Sequence, residues 1–451
     1  MKGAILMKQY RLKKCAALLL AGLLVFTLEA CAAESNTETK ADAVSVANSQ
    51  AQSSGQNESS ASASPSDTEA RSTSASADTA ANTDSGTLTN TAAVSSDGAI
   101  DASELFSKRD LKQNADLTEA SAYTVSDGKD IPISAEGVYV LSGTASNVTV
   151  TVEAGDEDKV QLVLDGLSVT NDERPVIYVK NADKVFITTA EDSENSLSVT
   201  GSFTADGSTN TDAVIFSRDD LVFNGLGTLQ ISSTDNGISG KDDIKITGGA
   251  LHISAVDHGI EANDSIAIAG GVITVQSAKE DGLHAENEDD DKEGWIYICG
   301  GTLDIDVADD GIHAVSIIQI DGGALDITAA EGIEATWVQI NGGTITIAAS
   351  DDGINAGRKS NSYTVAIEIH GGSLTINMGQ GDTDGIDSNG NLTITGGTIS
   401  VNAQSPFDYD GTLTHTGGTI LVNGSETSEL TNQFGGMGPG GPGFPGGGRR
   451  P

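Results

Sequence analysis

The run DDGIHAVSIIQIDGGALDITAAEGIEATWVQINGGTITIAASDDGINA, residues 309–356, states one pattern twice and begins it a third time. An acidic-acidic-Gly-Ile-x-Ala turn is followed by a short apolar alternation, then by Gly-Gly-x-Leu/Ile-x-Ile, and then by the turn again. Working outward, the turn glycines are Gly237, Gly259, Gly282, Gly311, Gly332, Gly353 and Gly385. The glycine pairs begin at Gly248, Gly270, Gly300, Gly322, Gly342, Gly371, Gly396 and Gly417. Most spacings are about 20 to 23 residues, and the longer ones hold polar insertions such as Glu286–Gly294 and Gly357–Ser362. A fixed period of this size marks a solenoid, in which each repeat buries its apolar face against its neighbours.

Inside a period the apolar residues alternate with period two, the strand period. Ile244/Ile246, Leu251/Ile253 and Ile260/Ala262 form one trio, and Ile318/Ile320, Leu325/Ile327 and Ile333/Ala335 repeat it. Three short strands per coil with glycines at the corners predict an all-β chain folded as a parallel β-helix. Leucine-rich repeats need a Leu-x-x-Leu-x-Leu signature and a helical segment, and neither is present; the nonapeptide calcium roll has a much shorter period.

The flanks set the organisation. Residues 1–30 read as a secretion signal, with Lys8, Arg11, Lys13 and Lys14 ahead of the apolar run Cys15–Leu28. Leu28-Glu29-Ala30-Cys31 resembles a bacterial lipobox, which makes Cys31 a candidate for lipidation and the protein a lipid-anchored cell-surface protein. Glu29 is unusual there, and the rival is ordinary signal cleavage with release of a secreted protein. Residues 31–100 are rich in Ser, Ala, Thr, Asn and Asp, too poor in large apolar side chains to offset the entropy of ordering, and read as a disordered tether. Residues 101–223 are expected to form an N-terminal β-rich cap with the first coils, residues 224–424 the regular solenoid, and 425–451 a disordered Gly/Pro-rich tail.

Acidic residues number 65 against 24 basic, a net charge of −41, which excludes nucleic acid as a partner by repulsion. Of the three cysteines, Cys299 reads as a small buried residue without a disulfide. A monomer is expected.

Numbered from the turn glycine, acids recur two before, one before and two after: Asp257 and Glu261; Glu280 and Asp281; Asp309 and Asp310; Asp351 and Asp352; Asp384 and Asp387. Equivalent positions of successive coils stack at about 4.8 Å. Two carboxylates at that distance repel by roughly 3 kcal/mol at an effective dielectric near 20 and by under about 1 kcal/mol in water. Such a column stays hydrated or recruits cations. Asp-Gly is good turn chemistry, with Gly taking positive φ, and this explains the acid just before Gly. The acids two before and two after suit Ca²⁺, which takes six to eight oxygens with loose geometry. His258, His284 and His313 suggest zinc, but no single coil offers a closed His/Cys set, so they are expected to be mostly exposed polar residues. Lys279, beside Glu280-Asp281, is a candidate ligand-contacting cation, and Trp295, closing an insertion, a candidate exposed aromatic; Trp337 sits in a strand run.

Several blocks then resemble the family of bacterial carbohydrate-binding domain proteins: Val138–Thr144, QLVLDGLSVTN at 161–171, IYVKNADKVFI at 177–187, DDLVFNGLGTLQI at 219–231 and KDDIKITGG at 241–249. The resemblance covers roughly Phe106 to Gly448. It implies a right-handed parallel β-helix, calcium ions, and binding of plant cell-wall polysaccharide of the acidic pectin or cellulose type. The architecture is similar to that of β-helical pectate lyases, whose calcium sits on an Asp-Asp-Gly-x-Asp turn. Asp309-Asp310-Gly311, Asp351-Asp352-Gly353 and Asp384-Gly385-Ile386-Asp387 look like that turn, with His313 and Asn355 replacing the last acid and Thr383 the first.

The expected function is therefore calcium-dependent, non-catalytic polysaccharide binding outside the cell. The alternatives are a calcium-stabilised adhesive protein without glycan specificity and a polyuronate lyase, for which Lys279 is the base nearest an acidic turn.

Overall fold

The computed structural model describes residues 99–432 except 278, 381 and 382, all within one compact unit, Thr89–Pro451. The signal, the lipobox with Cys31, nearly all of the tether and the glycine-rich end of the tail lie outside the described residues. What is described holds 34 strands and no helix. The pairing is parallel throughout the coils, so the chain is a parallel β-solenoid as its alternation predicts.

Three ladders run its length. One coil is Asn236–Gly240 in the first ladder, Asp243–Ile246 in the second and Ala250–Ala255 in the third. Each pairs in register with the next coil: Ile238 with Ile260, Ile244 with Ile266, and Leu251 with Ile273. Inward residues stack on their own kind. Ile244, Ile266, Ile296, Ile318 and Ile367 are wholly buried, each worth about 1.5–3 kcal/mol relative to exposure. β-Branched side chains suit this stack because their χ1 freedom is already restricted and they pack well on a pleated surface. At the far end Ser425–Thr427 turns back antiparallel on Thr419–Val422, closing the third ladder's edge.

The glycines act differently from the sequence expectation. The acidic-turn glycines do not take positive φ. They are required because a Cβ would collide with the interior and with the neighbouring coil: at Gly311 it would lie 2.3 Å from Ile327 Cγ2 and 2.6 Å from the Gly332 carbonyl oxygen. The left-handed residue is instead the second of each Gly-Gly pair, as at Gly301 (φ 92°) and Gly323 (φ 99°).

Ahead of the first strand, the chain from Ala99 to Gln113 lies lengthwise on the second ladder's outer face. The Ala99 and Ile100 amides donate to Gln339 and Gln319 Oε1 at 2.9 and 2.6 Å. Lys245 Nζ donates to the Leu105 carbonyl at 3.0 Å, and Gln113 Nε2 to that of Thr247 at 3.0 Å. Phe106 packs against Tyr297, their centroids 6.4 Å apart, which explains why Tyr297 is buried on an otherwise outward face.

Candidate functional site

The register of the first ladder builds one outward column: Ser239, Glu261, His284, His313, Glu334, Asn355, Asp387 and Asp408. The residues just before the turn glycines stand beside it, among them His258, Asp281, Asp310, Glu331, Asp352 and Asp384. Ten of the ionisable groups anticipated from sequence are thus placed along one face. Asp281 and Asp310 are buried, Asp257, Glu261, Glu280, Asp352, Asp384 and Asp387 are half-buried, and Asp309 and Asp351 are exposed.

The column changes chemistry along its length. At its start Glu261 accepts from Ser239 Oγ at 2.7 Å and faces Lys241 Nζ at 3.6 Å. In the middle, three imidazoles pack in a row, with centroids 4.3 Å apart at 33° for His258 and His284 and 4.9 Å apart, edge to face at 89°, for His284 and His313. These histidines are not the exposed residues expected from sequence: His284 is buried and its neighbours half-buried, because the coil spacing packs ring on ring. Asp281 Oδ2 is 2.6 Å from His284 Nδ1 and 3.3 Å from His313 Nδ1. Burial works to raise the Asp281 carboxyl, but the hydrogen bonds from His284 and His313 hold it well below the usual carboxylate range. Burial likewise opposes charge on His284, and Asp281 with Glu286 overcomes it, raising the imidazole to about 9. His258 goes the other way, pushed down by burial and by His284.

Beyond the histidines, carboxyls crowd one another. Burial, then Asp281, Glu331 and Glu334, push Asp310 up; burial and Glu334 push Glu331 up to about 7. Lys359 Nζ pairs with Glu334 Oε2 at 2.6 Å. Farther on, burial raises Asp352 to about 6, and burial with Asp352 and Asp408 raises Asp387 to about 7. In this last stretch Asn355 Oδ1, Thr383 Oγ1 and Asp408 Oδ1 are buried with no hydrogen-bond partner.

Around the corner, on the second ladder, the two polar insertions meet. Ser360 Oγ donates to the Asp291 carbonyl at 2.6 Å, and Tyr363 Oη to that of Lys292 at 3.3 Å. The end of the second insertion, with Ser362 and Tyr363, walls one side of a groove of about 500 Å³ lined also by Trp337, Glu368, Asn391, Thr393 and Thr414. The Trp337 and Tyr363 rings are 6.4 Å apart at 48°, and Trp337 Nε1 is buried without a partner. Trp337 therefore faces the groove, whereas sequence favoured Trp295. Trp295 is half-buried and its Nε1 donates to Glu293 Oε2 at 3.0 Å. Lys279 is exposed, and Cys299 is a half-buried free thiol.

Sequence reasoning missed Asp408 because its coil has Pro406 where the others have glycine. Pairing of Ile386 with Phe407 is the signal that would have found it. It missed the joint action of the histidines because they stand on three different coils.

The class that fold and site define is a parallel β-solenoid with an acid-and-imidazole column on one face and an aromatic groove beside it. A family model of carbohydrate-binding domain-containing proteins matches residues 127–383 and 334–429, and the chain belongs to this family. A carbohydrate-binding domain-containing protein of Acetivibrio thermocellus is 36% identical over 220 residues, 48% of this chain and 76% of that protein. A solved structure, the polysaccharide lyase-like protein from C. thermocellum in a gadolinium derivative, is similar at 23% identity over 67% of this chain and 94% of that one, with a TM-score of 0.38.

Proposed function

We propose that this carbohydrate-binding protein holds acidic polysaccharide through Ca²⁺ bound at the far end of the acidic column, without catalysis. The observation that carries this reading is the oxygen set on three successive coils: Asp352 with Asn355, Thr383 with Asp387, and Asp408. Three of its atoms, Asn355 Oδ1, Thr383 Oγ1 and Asp408 Oδ1, are buried without partners, and its carboxyls Asp352 and Asp387 are raised by burial and by acidic neighbours. A hard divalent cation satisfies such atoms and removes the repulsion, and all the donors are oxygens, as Ca²⁺ requires. A uronate carboxylate can complete the shell of the ion, which an acidic protein surface could not attract unaided. The chain acts as a monomer, exported by residues 1–30 and held at the cell surface through Cys31. Lys279, the base nearest an acidic turn, stands exposed to water, which supports binding over lyase chemistry.

A second reading, favoured by the partnerless Trp337 Nε1, is that neutral glycan lies in the groove with Trp337 and Tyr363 as stacking surfaces. Pull-down of the chain on polygalacturonate and on cellulose, in Ca²⁺ and in EGTA, tests both. Polygalacturonate retention that vanishes in EGTA and in Asp387→Asn supports calcium bridging; retention indifferent to EGTA overturns it. Cellulose retention lost in Trp337→Ala supports the groove.

A further inference from the structure

The middle of the column differs in chemistry from the oxygen-lined end. We propose that His258, Asp281, His284 and His313 form a closed four-ligand site for Zn²⁺ or a similar borderline transition metal, stapling three successive coils. This does not rest on the calcium reading, since the donors are separate.

Geometry points to it first. The Nδ1 atoms of His284, His313 and His258 lie 2.6, 3.3 and 3.6 Å from the same oxygen, Asp281 Oδ2. In a tetrahedral zinc site with bonds near 2.0–2.1 Å, donor atoms stand roughly 3.3 Å apart, so each imidazole nitrogen already stands near that spacing from the shared carboxylate oxygen, and closing the set takes a turn of His313 toward His284. Asp281 with His258 and His284 lies within 4.8 Å as a group, and Asp281 also groups with Asp310 and His313. His258 Nδ1 accepts the Asp281 amide at 3.3 Å, a hydrogen bond its lone pair exchanges for the ion on binding.

The far sides of the rings give a second, independent observation. His284 Nε2 is 3.4 Å from Glu286 Oε2, and His313 Nε2 is 3.6 Å from Glu334 Oε2. His313 Nε2 is buried and lacks a hydrogen bond. A histidine that ligates through one nitrogen commonly donates its other N–H to a carboxylate, which fixes the ring and strengthens the ligand. Two imidazoles here have a carboxylate oxygen 3.4 and 3.6 Å from that nitrogen, close enough to accept such a bond after a small turn of the ring.

Imidazole and one carboxylate suit zinc and its neighbours rather than calcium, which takes oxygen. Four protein ligands leave no open position, so the ion would hold the coils of His258, of Asp281 with His284, and of His313 together, without touching substrate.

The test uses the untagged full chain, stripped with EDTA, dialysed against Zn²⁺ and assayed for retained metal, with a parallel Co²⁺ titration read in the visible. The expected result is about one Zn²⁺ per chain that excess Ca²⁺ does not displace, the strong Co²⁺ bands of a tetrahedral site, and a higher melting temperature with Zn²⁺. His284→Gln/His313→Gln should abolish retention, Glu286→Gln should weaken it about tenfold, and Asp387→Asn should leave it unchanged. Equal Zn²⁺ retention by the wild type and the double variant overturns the proposal. Should that variant not fold, weak octahedral Co²⁺ bands in the wild type overturn it equally.

Discussion

Asp387→Asn is expected to stabilise the protein without calcium and to weaken it with calcium. Burial, then Asp352, Asp408, Asp384 and Asp410, push the Asp387 carboxyl from 3.8 up to about 7. The unfolded chain ionises this group near its ordinary value, so stability is fully present below about pH 4, is lost as pH rises through about 7, and stays lost above. At about 1.36 kcal/mol per pH unit the loss approaches ~4 kcal/mol, and the water that still reaches this half-buried side chain screens it to ~2 kcal/mol. Asparagine keeps the shape and cannot ionise. At pH 8 in EGTA the variant should therefore be more stable by ~2 kcal/mol; for about 330 folded residues, with an unfolding entropy near 2.1 cal/mol/K each, that is roughly 3 °C in Tm. At pH 4 the two proteins should melt together. With millimolar Ca²⁺ at pH 8 the order should invert, because the wild type gains binding energy that the variant has given up. Differential scanning calorimetry in the three buffers reads all of this. A variant that melts below wild type in EGTA at pH 8 would refute the crowding of carboxyls, and an unchanged order with Ca²⁺ would refute the ion.

Gly332→Ala places a Cβ 2.4 Å from the Gly353 carbonyl oxygen and 2.5 Å from Ile347 Cγ2, and should cost about 3 kcal/mol in urea unfolding; a cost under about 1 kcal/mol would mean the coils can part. Lys359→Gln removes the partner 2.6 Å from Glu334 and should lower stability by about 1 kcal/mol in calorimetry at pH 8; an unchanged melting temperature would mean the pair adds nothing. Trp337→Ala should weaken binding of neutral glucan about tenfold in affinity electrophoresis, leaving calcium-dependent retention on polygalacturonate intact.

The fold was legible because its rule is local. Ile244/Ile246 and Leu251/Ile253 alternate within a few residues, and the glycine pairs mark corners that the chain must turn at every coil. The role of each glycine was less legible: the positive φ belongs to Gly323 and its equivalents, whereas Gly311 is held by the carbonyl of Gly332 on the next coil. The same limit hid the site. His258 and Asp281 stand one regular coil apart and His313 lies beyond the Glu286–Gly294 insertion, and only the ladder register places the imidazole nitrogens around one Asp281 oxygen. The amide contacts from Ala99 and Ile100 to Gln339 and Gln319 span 240 and 219 residues, and no pattern within a repeat announces them.

A solenoid multiplies whatever it places outward, so an acidic turn repeated on every coil becomes a line of like charge. This chain answers that repulsion in three ways along one face. Lys241 stands against Glu261, the histidines interleave with Asp281, and Lys359 reaches from the second insertion to Glu334. Past Asn355 the pattern stops, and the charged neighbours that act most on Asp387 are all acids. Bare repulsion of roughly 3 kcal/mol per adjacent pair at an effective dielectric near 20 would be a poor way to end a fold. Basic residues could have been placed there as they are at Glu261 and Glu334. Acids, Asn355 and Thr383 stand there instead, with Asn355 Oδ1, Thr383 Oγ1 and Asp408 Oδ1 buried and unpartnered, which is the composition of a cation shell and the reason calcium is assigned to this end of the column rather than to the whole row.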